Sequence, residues 1–188
     1  MSRIRDIRNE ELTAAAIRAV HSHGYAQVTM NDIALEAKAS AASINYYFGS
    51  KEKLMEATMR RLLGLLRSAT VDRLAAADTP RARLAALVEA NFDDRLFVPA
   101  QCSLWVQFWS NAPYSAPLAR LQRINRGRVQ SHLQAELRQL VAGSEVSSVT
   151  ATLQAYMDGV WLEAAQSGAC DAQAARREAA LVLRRLVM

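Results

Sequence analysis

The stretch Thr29–Phe48, TMNDIALEAKASAASINYYF, decides how the rest of the chain is read. Thr29-Met-Asn-Asp32 is a Thr-x-x-Asp arrangement that caps a short helix and turns Ile33, Ala34 and Ala37 inward. Ser40 stands where a second cap belongs and opens another short helix through Tyr47, and Gly49-Ser50 ends the unit. A preceding helix, from about Arg8 to His23, is marked by Ile7, Leu12, Ala15, Ala16 and Ala19 at helical spacing, and Gly24 sits at its left-handed end. Two short helices in a tight turn, braced by a third, form the geometry of a helix-turn-helix, whose second helix enters the DNA major groove.

Downstream of this unit Ser50 caps a long amphipathic helix reaching about Ala77, which couples the two halves of the chain. Further helices are expected at 80–97, 101–111, 116–141, 145–167 and 171–187, with Pro99, Pro113 and Pro117 marking breaks and Gly143 and Gly168 marking ends. The expected architecture is all-α with about nine helices. An N-terminal three-helix domain would occupy residues 1–50, with its helix-turn-helix at 29–48, and a helical domain 51–188.

Composition agrees with that class. Of 188 residues, 35 are Ala and 22 are Leu, whereas Val, Ile and Thr together reach 26, an excess of helix formers over β-branched residues. The closest pair of the seven glycines is Gly159 and Gly168, so dinucleotide, P-loop and nucleophile-elbow motifs are excluded. His21, His23, His132, Cys102 and Cys170 fit no zinc spacing, and no metal site, cofactor or catalytic group is expected. The two cysteines read as small apolar residues without a nearby partner, in keeping with a reducing compartment. No apolar run reaches membrane-spanning length and the amino terminus lacks a secretory core, so a cytoplasmic protein is expected. The net charge of +5 says little, because residues 1–50 balance to zero and the run Arg120, Arg123, Arg126 and Arg128 reads as a solvated face.

On the second short helix, Ser43 and Asn45 can reach base edges, Asn being suited to adenine. Thr29, Ser40, Tyr46, Tyr47 and Lys51 can bond phosphates, and Ala41 completes the candidate DNA-contact set. Arg3, Arg5 and Arg8, ahead of the first helix, can add phosphate or minor-groove contacts. Ordinary caps and a solvated face would use many of the same residues, but three adjacent aromatics, Tyr46-Tyr47-Phe48, cannot all face inward.

Six of the twelve aromatics fall between 92 and 114: Phe92, Phe97, Trp105, Phe108, Trp109 and Tyr114. Trp105 and Trp109 share a helical face, as do Asp158 and Trp161 on another helix. Tryptophans beside a carboxylate are the chemistry of a quaternary ammonium cage, each ring face attracting the cation by roughly 0.5–2 kcal/mol. The competing reading is a packed core in which Asp158 pairs with one of the arginines.

Two resemblances bear on the choice. Residues 11–58, above all Val28–Ala37, Ser40 and Asn45-Tyr-Tyr-Phe-Gly-Ser-Lys-Glu-Lys-Leu54, resemble the DNA-binding domain of the TetR family of repressors. The resemblance implies a homodimer on double-stranded operator DNA. Lys38 and Ala42 stand where that family often has glycine, so Lys38 must accept an unusual turn conformation. Asn91-Phe-Asp93, Trp105-Val-Gln-Phe-Trp109, Leu118-x-Arg-Leu-Gln122, Met157-Asp-Gly-Val-Trp-Leu162 and Ser167-Gly168 are similar to the regulatory half of the BetI type, which represses glycine betaine synthesis and responds to choline. On that basis Trp105, Trp109, Tyr114, Asp158 and Trp161, with Phe92 and Asp93, are the candidate contacts of a small cationic effector, choline or a related quaternary amine. A regulator of efflux genes sensing other organic cations is the alternative. An enzyme acting on a choline-like substrate lacks any supporting nucleophile–base pair. The last two helices, with Leu153, Met157, Val160, Leu181, Leu183 and Leu186, are expected to supply the dimer interface.

Overall fold

The computed structural model describes residues 2–187, with side chains from Arg5 onward. Among the described residues there are nine α-helices and no strand. They are α1 (Ser2–His23), α2 (Met30–Glu36), α3 (Ala41–Phe48), α4 (Lys51–Leu74), α5 (Pro80–Glu89), α6 (Pro99–Asn111), α7 (Ala116–Leu137), α8 (Val146–Ser167) and α9 (Ala172–Leu186). Single 3₁₀ turns at Ala90–Phe92 and Ala112–Tyr114 follow α5 and α6.

Local chemistry explains most ends. Thr29 and Asp32 form a reciprocal capping box, and the hydroxyls of Ser40, Ser50 and Thr79 each accept from a backbone N–H three residues on. Pro80, Pro99 and Pro117 lie in first turns, where a missing N–H costs nothing. Pro99 therefore starts α6 rather than merely separating it from α5. The α2–α3 turn is a Schellman closure: Ala39 N–H donates to Ala34 at 2.9 Å, Lys38 N–H donates to Leu35 at 3.1 Å, and Lys38 sits at φ 50. The unusual conformation expected of Lys38 is present.

Several boundaries correct the sequence reading: the helix expected over 80–97 stops at Glu89 before a 3₁₀ turn, that over 116–141 stops at Leu137, and that reaching Ala77 stops at Leu74. The first helix begins at Ser2, not near Arg8, so Arg5 and Arg8 ride on α1 instead of preceding it. Arg8 pairs with Glu11 at 2.7 Å, one turn further along the same helix. The side chain of Arg3 lies outside the described residues.

A single hydrophobic core runs through both halves. α1 buries Leu12, Ala15, Ala16, Ala19 and Val20, and α4 buries Leu54, Met55, Met59, Leu62 and Leu66. α4 packs against α1 at one end and against α5 and α7 at the other, the coupling role expected of it. α1 also packs on α6, a contact not legible in the sequence. Of the six residues assigned to an interface, Leu153, Met157 and Leu183 are buried inside this chain, because α8 packs on α6 and α7 while α9 packs on α5. Val160 and Leu186 are partly covered, and Leu181 remains exposed together with Leu162. No described helix is long and apolar enough to cross a membrane.

Candidate functional site

α3 is held by one wholly buried residue, Ile44, which leaves Asn45 and Tyr46 on its outer face. Tyr46 is 84% exposed and meets the edge of half-buried Tyr47 at 5.4 Å. A large aromatic held in water on a short helix, beside a second one, is a surface awaiting a partner. Ser40 Oγ accepts from Ser43 N–H at 3.1 Å, which leaves the hydroxyl proton free to donate outward. Ala41 and Ser43 are partly covered at the start of the same helix. Thr29 is more committed, since its hydroxyl accepts from Asp32 N–H and donates to the Asp32 carboxylate at 2.7 Å. Those bonds hold the Asp32 carboxyl below its ordinary range. Lys51 Nζ donates to Ala26 O at 3.4 Å and lies 5.9 Å from the Tyr25 ring centroid, so its charge is parked at the edge of the same surface.

The second site lies among α6, α7 and α8. Trp105 and Trp161, both nearly fully buried, lie 5.0 Å apart with their planes tilted by 38°, and Trp109 meets Trp105 edge-on at 6.4 Å. With Asp158 they line a narrow cavity of about 30 Å³, together with Asn91, Gln122, Asn125, Arg126, Val129, Gln154 and Met157. That volume suits one water molecule. A quaternary ammonium carrying methyl groups enters only if the walls part. An open groove of about 520 Å³ adjoins it, sharing Trp109, Gln122 and Arg126.

Electrostatics single out one pair. Burial pushes the Asp158 carboxyl above its ordinary range, while Arg126 pulls it back. Arg126 Nη1 lies 3.5 Å from Asp158 Oδ2. The arginine run of α7 is thus more than a solvated face: Arg126 turns back into the cavity wall, and Arg128 donates to buried Asn125 at 2.9 Å. Two further groups are unfulfilled. Gln122 Oε1 and Gln154 Oε1 are buried at this cavity with no hydrogen-bond partner among the described residues, and a buried acceptor left unpaired costs about 1–3 kcal/mol.

Of the predicted cavity residues, Trp105, Trp109, Asp158 and Trp161 come together. Three do not. Tyr114 is 89% exposed because it ends the 3₁₀ turn after α6 and points to solvent. Phe92 is wholly buried in the core against Phe97 and Tyr156. Asp93 pairs with Arg95 at 2.8 Å and Arg73 at 3.8 Å, which holds its carboxyl below the ordinary range. Sequence reasoning missed Gln122, Asn125, Arg126 and Val129 on α7, and Gln154 and Met157 on α8. The signal was there: 122/125/126/129 and 154/157/158/161 are the same one-face spacing, but polar residues on such a stripe read as solvent-facing. Gln107 was also missed. It lies on α6 between the two tryptophans and accepts a hydrogen bond from Tyr25 N–H, tying the cavity wall to the end of α1. Cys102 and Cys170, expected to lack a nearby partner, have their sulfurs 3.6 Å apart.

Comparison with known proteins covers both sites. Residues 12–58 match the family of bacterial regulatory proteins called tetR, and residues 80–187 match the C-terminal region of BetI-type transcriptional repressors. The HTH-type transcriptional regulator BetI of Burkholderia mallei is 39% identical over 166 residues, covering 88% of this chain and 85% of the relative. That of Burkholderia thailandensis is 38% identical over the same span and coverage. Among solved structures, a TetR transcription regulator from Haloarcula marismortui superposes with a TM-score of 0.81 at 25% identity, over 97% of this chain and 100% of that one. A transcriptional regulator from Saccharomonospora viridis in complex with choline has a TM-score of 0.79 at 23% identity, over 94% and 95% of the two chains.

Proposed function

We propose, from the premise that this chain belongs to the TetR family of transcriptional regulators and carries a BetI-type C-terminal half, that it holds operator DNA as a homodimer and releases it when a small quaternary ammonium, choline first among them, enters the cavity between α6, α7 and α8. The genes it controls would then serve glycine betaine synthesis or choline uptake. The observation that carries this reading is the cavity itself: Trp105, Trp109 and Trp161 beside the half-buried Asp158 carboxylate. Ring faces attract a cation that has no N–H to donate, and the carboxylate supplies the countercharge that a desolvated cation needs. The unpaired Gln122 and Gln154 carbonyls would accept the hydroxyl proton of choline, a contact tetramethylammonium cannot make. The choline complex of the Saccharomonospora viridis regulator supports the choice of effector.

The mechanism follows from what each conformer can hold. In the dimer the two α3 helices would have to sit about 34–36 Å apart to enter successive major grooves. Asn45 and Ser43 would read bases while Ser40, Tyr46, Tyr47 and Lys51 hold phosphates. A ligand shifts this equilibrium only through its differential affinity for the two conformers. The described conformer has no room for it, so the ligand binds one in which the cavity walls have parted. α6 forms one of those walls and also touches α1 through Gln107 and Tyr25, so the movement reaches the head. The test is release of a fluorescent promoter fragment by choline, tetramethylammonium and glycine betaine. Choline should release at the lowest concentration and glycine betaine, whose carboxylate faces Asp158, at the highest. Release by none of them would remove the effector, and failure to bind any upstream fragment would remove the DNA reading.

A further inference from the structure

Cys102 is fully buried on α6, one turn before Trp105, and Cys170 lies half-buried in the connection 168–171 between α8 and α9. The Cys170 thiol faces the Cys102 sulfur at 3.6 Å. A disulfide needs about 2.05 Å, so the sulfurs must close by roughly 1.5 Å. The Cys170 side has that freedom, because its residue belongs to no helix and follows Gly168, whose left-handed φ of 71 ends α8. Neither sulfur has another role: no disulfide involves them and no described group of ligating side chains surrounds them.

We infer that Cys102 and Cys170 are an oxidation site, forming an intrachain disulfide that ties α6 to the α8–α9 connection. With hydrogen peroxide as oxidant, the Cys170 thiolate attacks one peroxide oxygen, breaking the O–O bond to leave a sulfenic acid and hydroxide. The Cys102 thiol then attacks the sulfenic sulfur. Its proton and the departing OH leave as water, so two thiols are oxidised while one peroxide becomes two waters. Burial pushes both thiols up, which keeps the thiolate scarce at neutral pH and makes the pair respond to sustained rather than brief oxidation. Cys170, the more accessible sulfur, is the one the oxidant meets.

The cross-link has a consequence for the cavity, and that part rests on the effector reading above. α6 carries Trp105 and Trp109, and α8 carries Asp158 and Trp161. Fastening the start of α6 to the end of the α8 connection restrains the parting of those walls, so the oxidised protein should stay on DNA at choline concentrations that release the reduced one.

The experiment exposes the full chain to hydrogen peroxide, blocks remaining thiols, digests without reductant and measures masses. Expected is a peptide containing residue 102 joined to one containing 170, two hydrogens lighter than their sum, reversed by dithiothreitol and absent in Cys170→Ser. The thermal midpoint of the oxidised wild type should rise by roughly 5–10 °C, since the bridge closes a long loop. Two free thiols after exposure, a chain-to-chain bridge, or Cys170 carried to sulfinic acid with Cys102 untouched would each overturn the proposal. A second arm titrates choline against oxidised and reduced protein on DNA. A cross-linked protein that releases at an unchanged choline concentration would overturn the locking while leaving the oxidation site. Reduced protein that fails to respond to choline at all would instead count against the effector reading.

Discussion

Replacing Arg126 by Gln should make the protein bind choline more tightly. Arg126 Nη1 lies 3.5 Å from Asp158 Oδ2, and their side chains are 49% and 38% exposed. A cation entering the cavity takes the place this guanidinium holds, so the ion pair opposes every binding event. At that distance the bare attraction is about 1 kcal/mol in water and of order 5 kcal/mol at an effective dielectric near 20. Half-exposed pairs keep only a fraction of this after solvation and side-chain entropy, leaving about 0.5–1 kcal/mol. Removing the competitor should therefore strengthen choline binding by roughly 2- to 5-fold. Glutamine keeps most of the length and bonding capacity of the side chain without its charge, and Arg126→Lys, which keeps the charge, should stay close to wild type. Isothermal calorimetry on the three proteins, with circular dichroism to confirm that each is folded, is the assay. Binding by Arg126→Gln that is equal to or weaker than wild type would refute the idea that Arg126 stands in for the ligand. Absence of binding by all three would point at the effector itself.

The pH dependence of binding should carry the signature of Asp158. A quaternary ammonium does not titrate, so affinity is full where Asp158 is ionised and falls as acidification protonates it. Because burial raises this carboxyl, the loss should set in above the ordinary carboxylate value of 3.8, and Asp158→Asn should flatten the profile in calorimetry. The same sign means that ionised Asp158 opposes folding at neutral pH and ceases to do so in acid. On the head, Tyr46→Ala should weaken promoter binding by roughly 10- to 100-fold in an anisotropy titration, the loss of a hydrogen bond to a charged phosphate, with thermal stability unchanged because Tyr46 is 84% exposed. Unchanged affinity would take α3 out of the groove. Lys38→Gly should raise stability by about 0.5–1 kcal/mol in urea titration, relieving a left-handed lysine at φ 50. A drop in the urea midpoint would mean the Lys38 side chain contributes more than its backbone costs.

The helices and their ends were legible because they depend on neighbours in sequence. Thr29 with Asp32, Ser40 with Ser43 and Ser50 with Lys53 are contacts three residues apart, and a capping oxygen finds its N–H whatever the rest of the chain does. The strain at Lys38 was legible only through the family resemblance, since Lys38 stands where that family often has glycine. The start of α1 was misplaced because Arg5, Asp6 and Ile7 are exposed and give no buried face from which a helix could be read.

The cavity was half legible. Trp105 and Trp109, or Asp158 and Trp161, share a face by spacing alone, so the sequence determined which side chains could stand together on each helix. Which faces meet was decided by tertiary packing, since α6 lies against α8 and α7 closes the third side. That is why Tyr114, only five residues from Trp109, lies in solvent, whereas Arg126, from a run that reads as a solvated face, and Gln154, from a helix read as an interface, stand at the same cavity. It is also why two cysteines 68 positions apart lie within 3.6 Å. Period and caps are local properties of the backbone, fixed within a turn or two. The meeting of distant side chains is settled only when one shared core, running through α1, α4, α6 and α8, is packed to the exclusion of every other arrangement.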